Sequence, residues 1–488
     1  MDALIHRAFG EDSMPVEVLQ AVRDLLARDS RPGQSLGATI DYLMDRLFYG
    51  EFQIFEQVSS NRYNDYVSLI GLKDPGTQEA PLWLVGHLGS GAEPVPSDWE
   101  ATNGAPLTPK IDTHGGLLYG LGAANAKVDL LLKLLVTARL DTERLKRPVC
   151  LIGLSGDESN SPGLADLLDG RFPLPGAAFI GAPTNLELWT GHPGSVTVRL
   201  TARRTLRHRR MPPCRGMVAV TVSGRSAHPQ APNVGSDALT LGLQTLRTLR
   251  THGDLRVLSF SAGEGSHRTA GRCHMQLATS FEALPDLPPY VEVDHLQDGA
   301  AVPLPIDKMM AGWLKAHDAG IAAARSLLKG GSCQPASRPR VDVHTGWMQS
   351  DRDSLVGEVT LWTGPDADQR VMLEAFAEAA HAQVGGRDES EIEVEVVQER
   401  PAFDGRGAAG ELLLAGQGAL RSAGLAPVVS SGRYVSDAAC FEERGIPALL
   451  FGPGRGLGDL YQDNERIPLV HLDAAYRVYE ALITQWCC

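Results

Sequence analysis

Apolar and polar positions along the first 190 residues repeat with two different periods. Apolar residues recur at three- and four-residue spacing, as on one face of a helix, in segments 15–29, 37–49 and 126–140. Short apolar runs of the kind that form buried strands lie at 81–87, 149–158 and 177–183. Strands and helices that alternate over short connections predict an α/β domain whose functional groups collect at the carboxyl ends of the strands.

The pattern changes near residue 191. Apolar and polar residues alternate with a period of two in segments 195–203 and 217–224, which predicts half-buried antiparallel strands. Amphipathic helices are predicted at 238–250, 307–328 and 369–383, and further strands at 358–364 and 391–398. The α/β pattern resumes from residue 408. We therefore predict a discontinuous α/β domain, 1–190 with 400–488, and an inserted α+β domain, 191–399, with an elaboration at about 281–350.

Composition narrows the class of protein. The 488 residues are 43% hydrophobic and 21% charged, which is typical of a soluble globular chain, and the net charge of -14 argues against nucleic acid or an anionic membrane as partner. No apolar run approaches the roughly 18 residues of a membrane span, and the first residues lack the apolar core of a signal peptide. Seven cysteines without a C-x-x-C pair suit a reducing compartment. We expect a cytoplasmic protein.

Six segments carry possible chemistry in a fixed order: LVGHLGSGAEPVPSDWE, GGLLYGLGAANAKVDLLL, SGDESNSPG, GAPTNLELWTGHPG, VSGRSAHPQAPNVGSDAL and SDAACFEERGIPALLFGPGRGLGDLYQDNERI. Their order and spacing resemble the M20 family of metallopeptidases and N-acyl-amino-acid deacylases, which includes acetylornithine deacetylase and succinyl-diaminopimelate desuccinylase. The resemblance implies an α/β fold class: an M20-like zinc-peptidase sandwich domain with an inserted α+β domain that serves as lid and dimerisation surface.

The resemblance also implies a site for two zinc ions, with five ligand side chains and a separate carboxylate that accepts a proton from metal-bound water. The five ligand positions fall on His87, Asn125, Glu158, Ala182 and Tyr461. Asp157 falls on the general base in one register. In the alternative register, Glu158 is the base and Ser159 replaces a ligand.

Several of these positions depart from the family's chemistry. The acidic residue that orients the first histidine is replaced by Gly89, the bridging carboxylate by Asn125, and a further acidic ligand by Ala182, which has no donor atom. Two surviving ligands do not make a stable dinuclear site, because the charge and dehydration of two dications are no longer offset. We therefore expect no cofactor, and zinc only if residues such as Glu93 or Asp459 replace the lost ligands.

The resemblance leaves a set of candidate functional residues. The candidate catalytic groups are Asp157, Glu158 and His228, and the candidate substrate-binding groups are His87, Asn125, His267, Arg268 and Tyr461. Structural roles compete with these assignments: His87 as a hydrogen-bonded strand end, the two acids as helix caps, His228 as part of a turn, and Arg268 as a surface residue. The basic stretch 202–215 either docks an acidic partner or a phosphate-bearing ligand, or forms a solvated hairpin tip.

Three hypotheses for function follow. The chain is a hydrolase-like scaffold that binds a ligand or a protein partner, a repurposed enzyme that handles a peptide-like or acyl-amino-acid substrate without zinc, or an active metallohydrolase with replacement ligands. The first two require that ordinary zinc hydrolysis is lost, which the missing ligands favour. In each case we expect a homodimer formed through the inserted domain, and neither nucleic acid nor membrane as partner.

Overall fold

A computed structural model describes residues 14–60, 65–90, 96–155, 162–204, 216–230, 235–263, 265, 268–280, 285–296, 304–327, 342–365, 367–383, 390–405, 410–456, 459–460 and 462–488. The chain divides into two compact units. The first unit consists of Met1–His192 and Phe403–Cys488, and the second unit consists of Pro193–Ala402. In the described parts of both units, no helix is both long enough and apolar enough to span a membrane.

Helices and strands are numbered in chain order through both units. The helices of the first unit are α1 (Val16–Leu26), α2 (Gly37–Tyr49), α3 (Ala126–Ala138), α4 (Pro162–Asp166), α8 (Glu411–Ser422), α9 (Ala438–Glu442) and α10 (Leu469–Cys487). Its strands are β1 (Gln53–Ser60), β2 (Asp65–Lys73), β3 (Leu82–His87), β4 (Lys110–Asp112), β5 (Leu117–Tyr119), β6 (Val149–Leu154), β7 (Ala177–Gly181), β8 (Leu188–Trp189), β17 (Val429–Ser430), β18 (Ala448–Phe451) and β19 (Arg466–Pro468).

The main sheet of the first unit has the strand order β1-β2-β6-β3-β7-β18-β8-β17 within the described residues. The central strands β6, β3, β7 and β18 are parallel to one another. Every residue of β3, β6 and β7 is buried, as the continuous apolar runs of these strands predict. Helices α3 and α10 contact each other, and both bury long apolar faces in the same core.

The hairpin of β1 and β2 was not predicted from the sequence. Most of β1 (QIFEQVSS) is exposed or half-exposed, because it is the outermost strand and has a neighbour on one side only. Such a strand carries too little apolar periodicity to be distinguished from a loop. The antiparallel pairing of β1 with β2 extends the sheet beyond the parallel centre.

The second unit contains the helices α5 (Ala238–Arg250), α6 (Asp307–Leu327) and α7 (Gln369–Ala382). Its strands are β9 (Gly194–Arg203), β10 (Gly216–Ser223), β11 (Leu255–Ala262), β12 (Arg272–Thr279), β13 (Val291–Leu296), β14 (Asp342–Ser350), β15 (Ser354–Thr363) and β16 (Glu391–Arg400). The sheet order is β13-β10-β12-β11-β14-β15-β9-β16, and neighbouring strands are antiparallel.

Three elements of the segment 281–350 are built into the second unit. Strands β13 and β14 belong to its sheet, and α6 packs against β9 and α7. Trp313 on α6 is 1% exposed, and its indole Nε1 donates a hydrogen bond of 2.7 Å to the Leu200 carbonyl of β9. A buried tryptophan with a satisfied N–H is an anchor. Helix α6 is therefore part of this unit's core.

Candidate functional site

The carboxyl ends of the parallel strands in the first unit form one edge. Strand β3 ends at His87, and Ala182 directly follows β7. Asn125 immediately precedes α3, and the start of that helix lies against β3, since a Cβ added at Gly86 would be 3.2 Å from the Ala126 carbonyl oxygen. The structure thus brings three of the residues selected by sequence, His87, Asn125 and Ala182, to this edge.

His87 is paired with a carboxylate from the far end of the chain. Its Nε2 lies 2.8 Å from Oδ2 of Asp437, and both side chains are about 5% exposed. Asp437 immediately precedes α9, and Phe441 of α9 packs edge-on against Trp83 of β3 with ring centroids 6.0 Å apart. The sequence placed Asp437 in the last motif but assigned no role to it. Because His87 and Asp437 are 350 residues apart, no local sequence pattern predicts their contact.

The remaining positions at this edge supply little negative charge. Asn125 is 6% exposed, and its Oδ1 accepts no hydrogen bond in the described part of the chain. Ala182 is also buried. Among the described residues, no group of three or more His, Cys, Asp or Glu side chains is arranged to hold a metal ion. Asn125 and Ala182 therefore supply no charged ligand for a metal ion at this edge. Asp157, Glu158, Tyr461 and Glu93 lie outside the described residues.

The loop before Asn125 is held from two sides. The Glu465 carboxylate accepts hydrogen bonds of 2.9 Å from the backbone N–H groups of Gly122 and Ala124. Lys127 is fully buried, and its Nζ donates a hydrogen bond of 3.0 Å to Ser30. Gly122 has a φ of +83°, and a Cβ there would be 3.0 Å from Lys127 Nζ. Glycine is thus required where the loop passes the lysine.

Burial lowers the pKa of Lys127 from its ordinary 10.5 to about 8, and the charges of Glu465 and Asp29 oppose the shift. Between these two pH values the unfolded chain keeps a proton that the folded chain has released, so stability rises with pH. The full contribution of neutral Lys127 to the free energy of unfolding is present above pH 10.5, and it is lost as the pH falls through 8.

We therefore predict a pH-dependent difference between wild type and Lys127→Met. From pH 7 to pH 10.5 the free energy of unfolding of wild type should gain about 3 kcal/mol relative to the variant, since one pKa unit corresponds to about 1.4 kcal/mol. Urea unfolding of both proteins across this range measures the gain. A difference that is constant with pH would contradict the shifted pKa.

A second buried charge cluster lies further along α3, at Asp129 and Lys133. Lys133 Nζ is 2.6 Å from Oδ2 of Asp129, and Tyr479 of α10 donates a hydrogen bond to the other oxygen of Asp129. Lys133 also donates to the carbonyls of Val85 and Phe179, at 3.0 and 3.1 Å. Burial lowers the pKa of Lys133 and raises that of Asp129, and each charge opposes the shift of the other. The cluster ties α3 and α10 to β3 and β7.

The candidate residues of the inserted domain lie in the second unit. His228 and Arg268 are on adjacent segments, which two hydrogen bonds join. The Ala227 N–H donates to the Thr269 hydroxyl oxygen at 2.8 Å, and the Thr269 N–H donates to the Ala227 carbonyl at 2.9 Å. His228 Nδ1 accepts a hydrogen bond of 3.2 Å from the Gln230 N–H. His267 lies outside the described residues, as does most of the basic stretch 202–215.

His344 is a buried neighbour of this pair that the sequence did not single out. Its Nε2 lies 3.3 Å from the Arg268 carbonyl oxygen. Burial lowers the pKa of His344, and the nearby Asp237 carboxylate opposes that shift. The histidine sits within β14, so its hydrogen bond fixes the Arg268 segment against the sheet.

Solved structures share this fold over nearly the whole chain. The dipeptidase Dug1p of Saccharomyces cerevisiae aligns with 96% of this chain and 95% of its own, with a TM-score of 0.61 and 13% identity. Human carnosine dipeptidase 1 aligns with 96% and 95%, with a TM-score of 0.59 and 13% identity. At such identities the likeness shows the fold alone. The molecule is thus an α/β protein with the two-domain architecture of these peptidases, which confirms the expected fold class.

The sequence comparison identifies the family. The profile of Peptidase family M20/M25/M40 matches residues 93–485. Acetylornithine deacetylase of Shigella sonnei (strain Ss046) is 25% identical over 181 residues, which are 37% of this chain and 39% of that protein. The matched region thus spans about two fifths of that relative's length. The chain belongs to the M20/M25/M40 peptidase family, as the six motifs predict.

Proposed function

We propose that this family member has lost dinuclear-zinc hydrolysis, and that it binds a peptide-like or N-acyl-amino-acid ligand or processes it without hydrolysis. The observation that carries the proposal is the composition of the strand edge. A neutral amide at Asn125 and a methyl group at Ala182 stand where the family has carboxylates, and His87 contacts Asp437. Two dications held by so few anionic groups would not repay their dehydration.

The retained groups are suited to holding a ligand. The His87 and Asp437 side chains form a buried pair that joins the end of β3 to the residue before α9. Asn125 Oδ1 is a buried acceptor that no described group satisfies. Buried acceptors of this kind are costly unless a ligand or an ordered water donates to them. An amide N–H of a peptide-like ligand is such a donor.

One observation favours the alternative, an active metallohydrolase that uses replacement ligands. Asp459 is 3% exposed, its Oδ1 accepts a hydrogen bond of 3.0 Å from Arg466, and its Oδ2 has no hydrogen-bond donor among the described residues. A buried carboxylate oxygen that accepts no hydrogen bond can bind a metal ion. The adjacent Arg466 guanidinium already neutralises its charge, which weakens the alternative.

Zinc content after incubation with excess zinc and desalting separates the two proposals. We expect well under one zinc ion per chain by elemental mass spectrometry, and no hydrolysis of N-acetyl-L-ornithine or carnosine by the zinc-treated protein. A stoichiometry near two with hydrolysis of either compound would overturn the loss of zinc chemistry. The ligand-binding half of the proposal is tested by thermal shift with both compounds, in wild type and His87→Ala, with the exposed His252→Ala as control.

We also propose that the protein is a cytoplasmic homodimer formed through the second unit, which would then serve as the lid and dimerisation domain. The acidic charge and the cysteine content support the compartment. Light scattering of the purified chain would give a mass near twice 52.4 kDa if the proposal holds. A mass equal to one chain at micromolar concentration would refute the dimer.

A further inference from the structure

A cavity of about 680 Å³ lies in the first unit on the outer face of α10. Its lining includes Met14, Arg139 at the end of α3, Ser422 at the end of α8, and the α10 residues Tyr476, Arg477 and Glu480. None of these residues belongs to the strand edge described above. The volume is within the roughly 300–1,000 Å³ that is usual for small-molecule sites.

One wall of the cavity is a guanidinium held in a fixed position. Arg477 donates from Nε and Nη2 to Oδ2 of Asp473, at 3.1 and 2.8 Å, and from Nη1 to the Ala423 carbonyl at 3.1 Å. Asp473 is itself fixed, since its Oδ1 accepts a hydrogen bond of 2.7 Å from the Met14 N–H. A guanidinium has five N–H donors, so two of them remain for a ligand. Donors that are already positioned cost little entropy on binding.

Two further charges of opposite sign face the cavity without neutralising each other. Arg139 and Glu480 are both exposed, and no ion pair within 4 Å joins either of them to another charged group in the described part of the chain. Both lie near Tyr476, and the Arg139 guanidinium is 5.9 Å from the centre of its ring. Burial raises the pKa of the Tyr476 hydroxyl, the Arg139 charge opposes that shift, and the Glu480 charge adds to it. The cavity is thus lined by a cation, an anion and one buried aromatic ring.

We propose that this cavity binds a small zwitterion of the amino-acid or dipeptide class. The ligand carboxylate would bind Arg139 and the two remaining donors of Arg477, and the ligand ammonium group would bind Glu480. A lone anion would be repelled by Glu480 and a lone cation by Arg139, so only a ligand with both charges satisfies both groups. Charge-assisted hydrogen bonds to a carboxylate are among the stronger polar contacts in proteins.

The proposal is tested with glycylglycine by isothermal titration calorimetry on the full chain. The two comparison ligands are N-acetylglycylglycine, which lacks the ammonium group, and glycylglycine amide, which lacks the carboxylate. The test variants are Arg139→Gln and Glu480→Gln. Arg421→Gln and Glu443→Gln serve as controls, because both residues are exposed on helix ends and neither lines the cavity. Thermal unfolding verifies that every variant is folded.

We expect saturable binding of glycylglycine to wild type and to both controls, and at least tenfold weaker binding to each test variant. Removal of the ammonium group should weaken binding to wild type but not further to Glu480→Gln. Amidation should weaken binding to wild type, and it should weaken binding to Arg139→Gln by a smaller factor, because Arg477 still binds the carboxylate in that variant. Binding that persists in His87→Ala and is lost in Arg139→Gln would separate this cavity from the strand-edge site. Absence of saturable binding, or equal binding by test and control variants, would overturn the proposal.

Discussion

Lys133→Met should lower the free energy of unfolding by about 3–5 kcal/mol, the range found when one partner of a buried ion pair is removed. The substitution leaves the Asp129 carboxylate buried at 2% exposure, and among the described residues only the Tyr479 hydroxyl remains as a side-chain donor to it. It also removes the donor to the Val85 and Phe179 carbonyls. Urea unfolding monitored by circular dichroism measures the loss.

Two variants control for packing and for general effects of lysine removal. The double variant Asp129→Leu/Lys133→Met should recover most of the lost stability, because it leaves no uncompensated charge in the core. Lys146→Met, at an exposed position, should stay within about 0.5 kcal/mol of wild type. If Lys133→Met were as stable as Lys146→Met, the buried pair would not stabilise the fold.

Restoring the missing acidic and imidazole ligands should restore zinc binding. The variant Asn125→Asp/Ala182→Glu/Tyr461→His, which retains His87 and Glu158, should bind about two zinc ions per chain, the number of a complete dinuclear site. The added carboxylates supply the negative charge that the wild-type edge lacks. Elemental mass spectrometry after incubation with zinc and desalting measures the stoichiometry.

A matched variant separates charge from bulk. Asn125→Gln/Ala182→Gln/Tyr461→Phe introduces side chains of comparable size without new acidic or imidazole groups, and it should remain as poor in zinc as wild type. Equal zinc content in the two triple variants would show that the substituted positions do not determine metal binding. The charge argument behind the proposed loss of zinc chemistry would then be wrong.

The sequence predicted the helices and strands in which buried apolar residues follow a clear periodic or continuous pattern. Helix α5 was predicted at 238–250 and found at Ala238–Arg250, and the apolar runs at 81–87 and 177–183 became β3 and β7. Strands β11 and β12 were missed, although buried and exposed residues alternate along most of β12. Cys273 is buried in β12 and His274 is exposed. These residue types give a weak contrast between apolar and polar positions, so the sequence alone does not indicate a strand.

The candidate site was only partly accessible to sequence reasoning, because motifs report residue types in order and not their contacts. The motifs selected His87, Asn125 and Ala182, and the fold places these residues at the carboxyl edge of the parallel strands. Asp437 belongs to the last motif, but the sequence analysis assigned no role to it, because its contact with His87 depends on how the C-terminal part of the chain folds. The pairing of Lys133 with Asp129 at i,i+4 resembles an ordinary surface helix pair until its burial is known.

The central sheet of the first unit is assembled from two distant parts of the chain. Strand β7 pairs with β18, and Gly181 pairs with Phe451, so this ladder forms only after residue 451 has been synthesised. At 5–20 residues per second this delay lasts roughly 10–50 s on the ribosome. The second unit, whose residues are contiguous, can fold in that interval. During that interval β7 lacks its neighbouring strand on the β18 side, and an unpaired strand edge is a site at which chains associate wrongly.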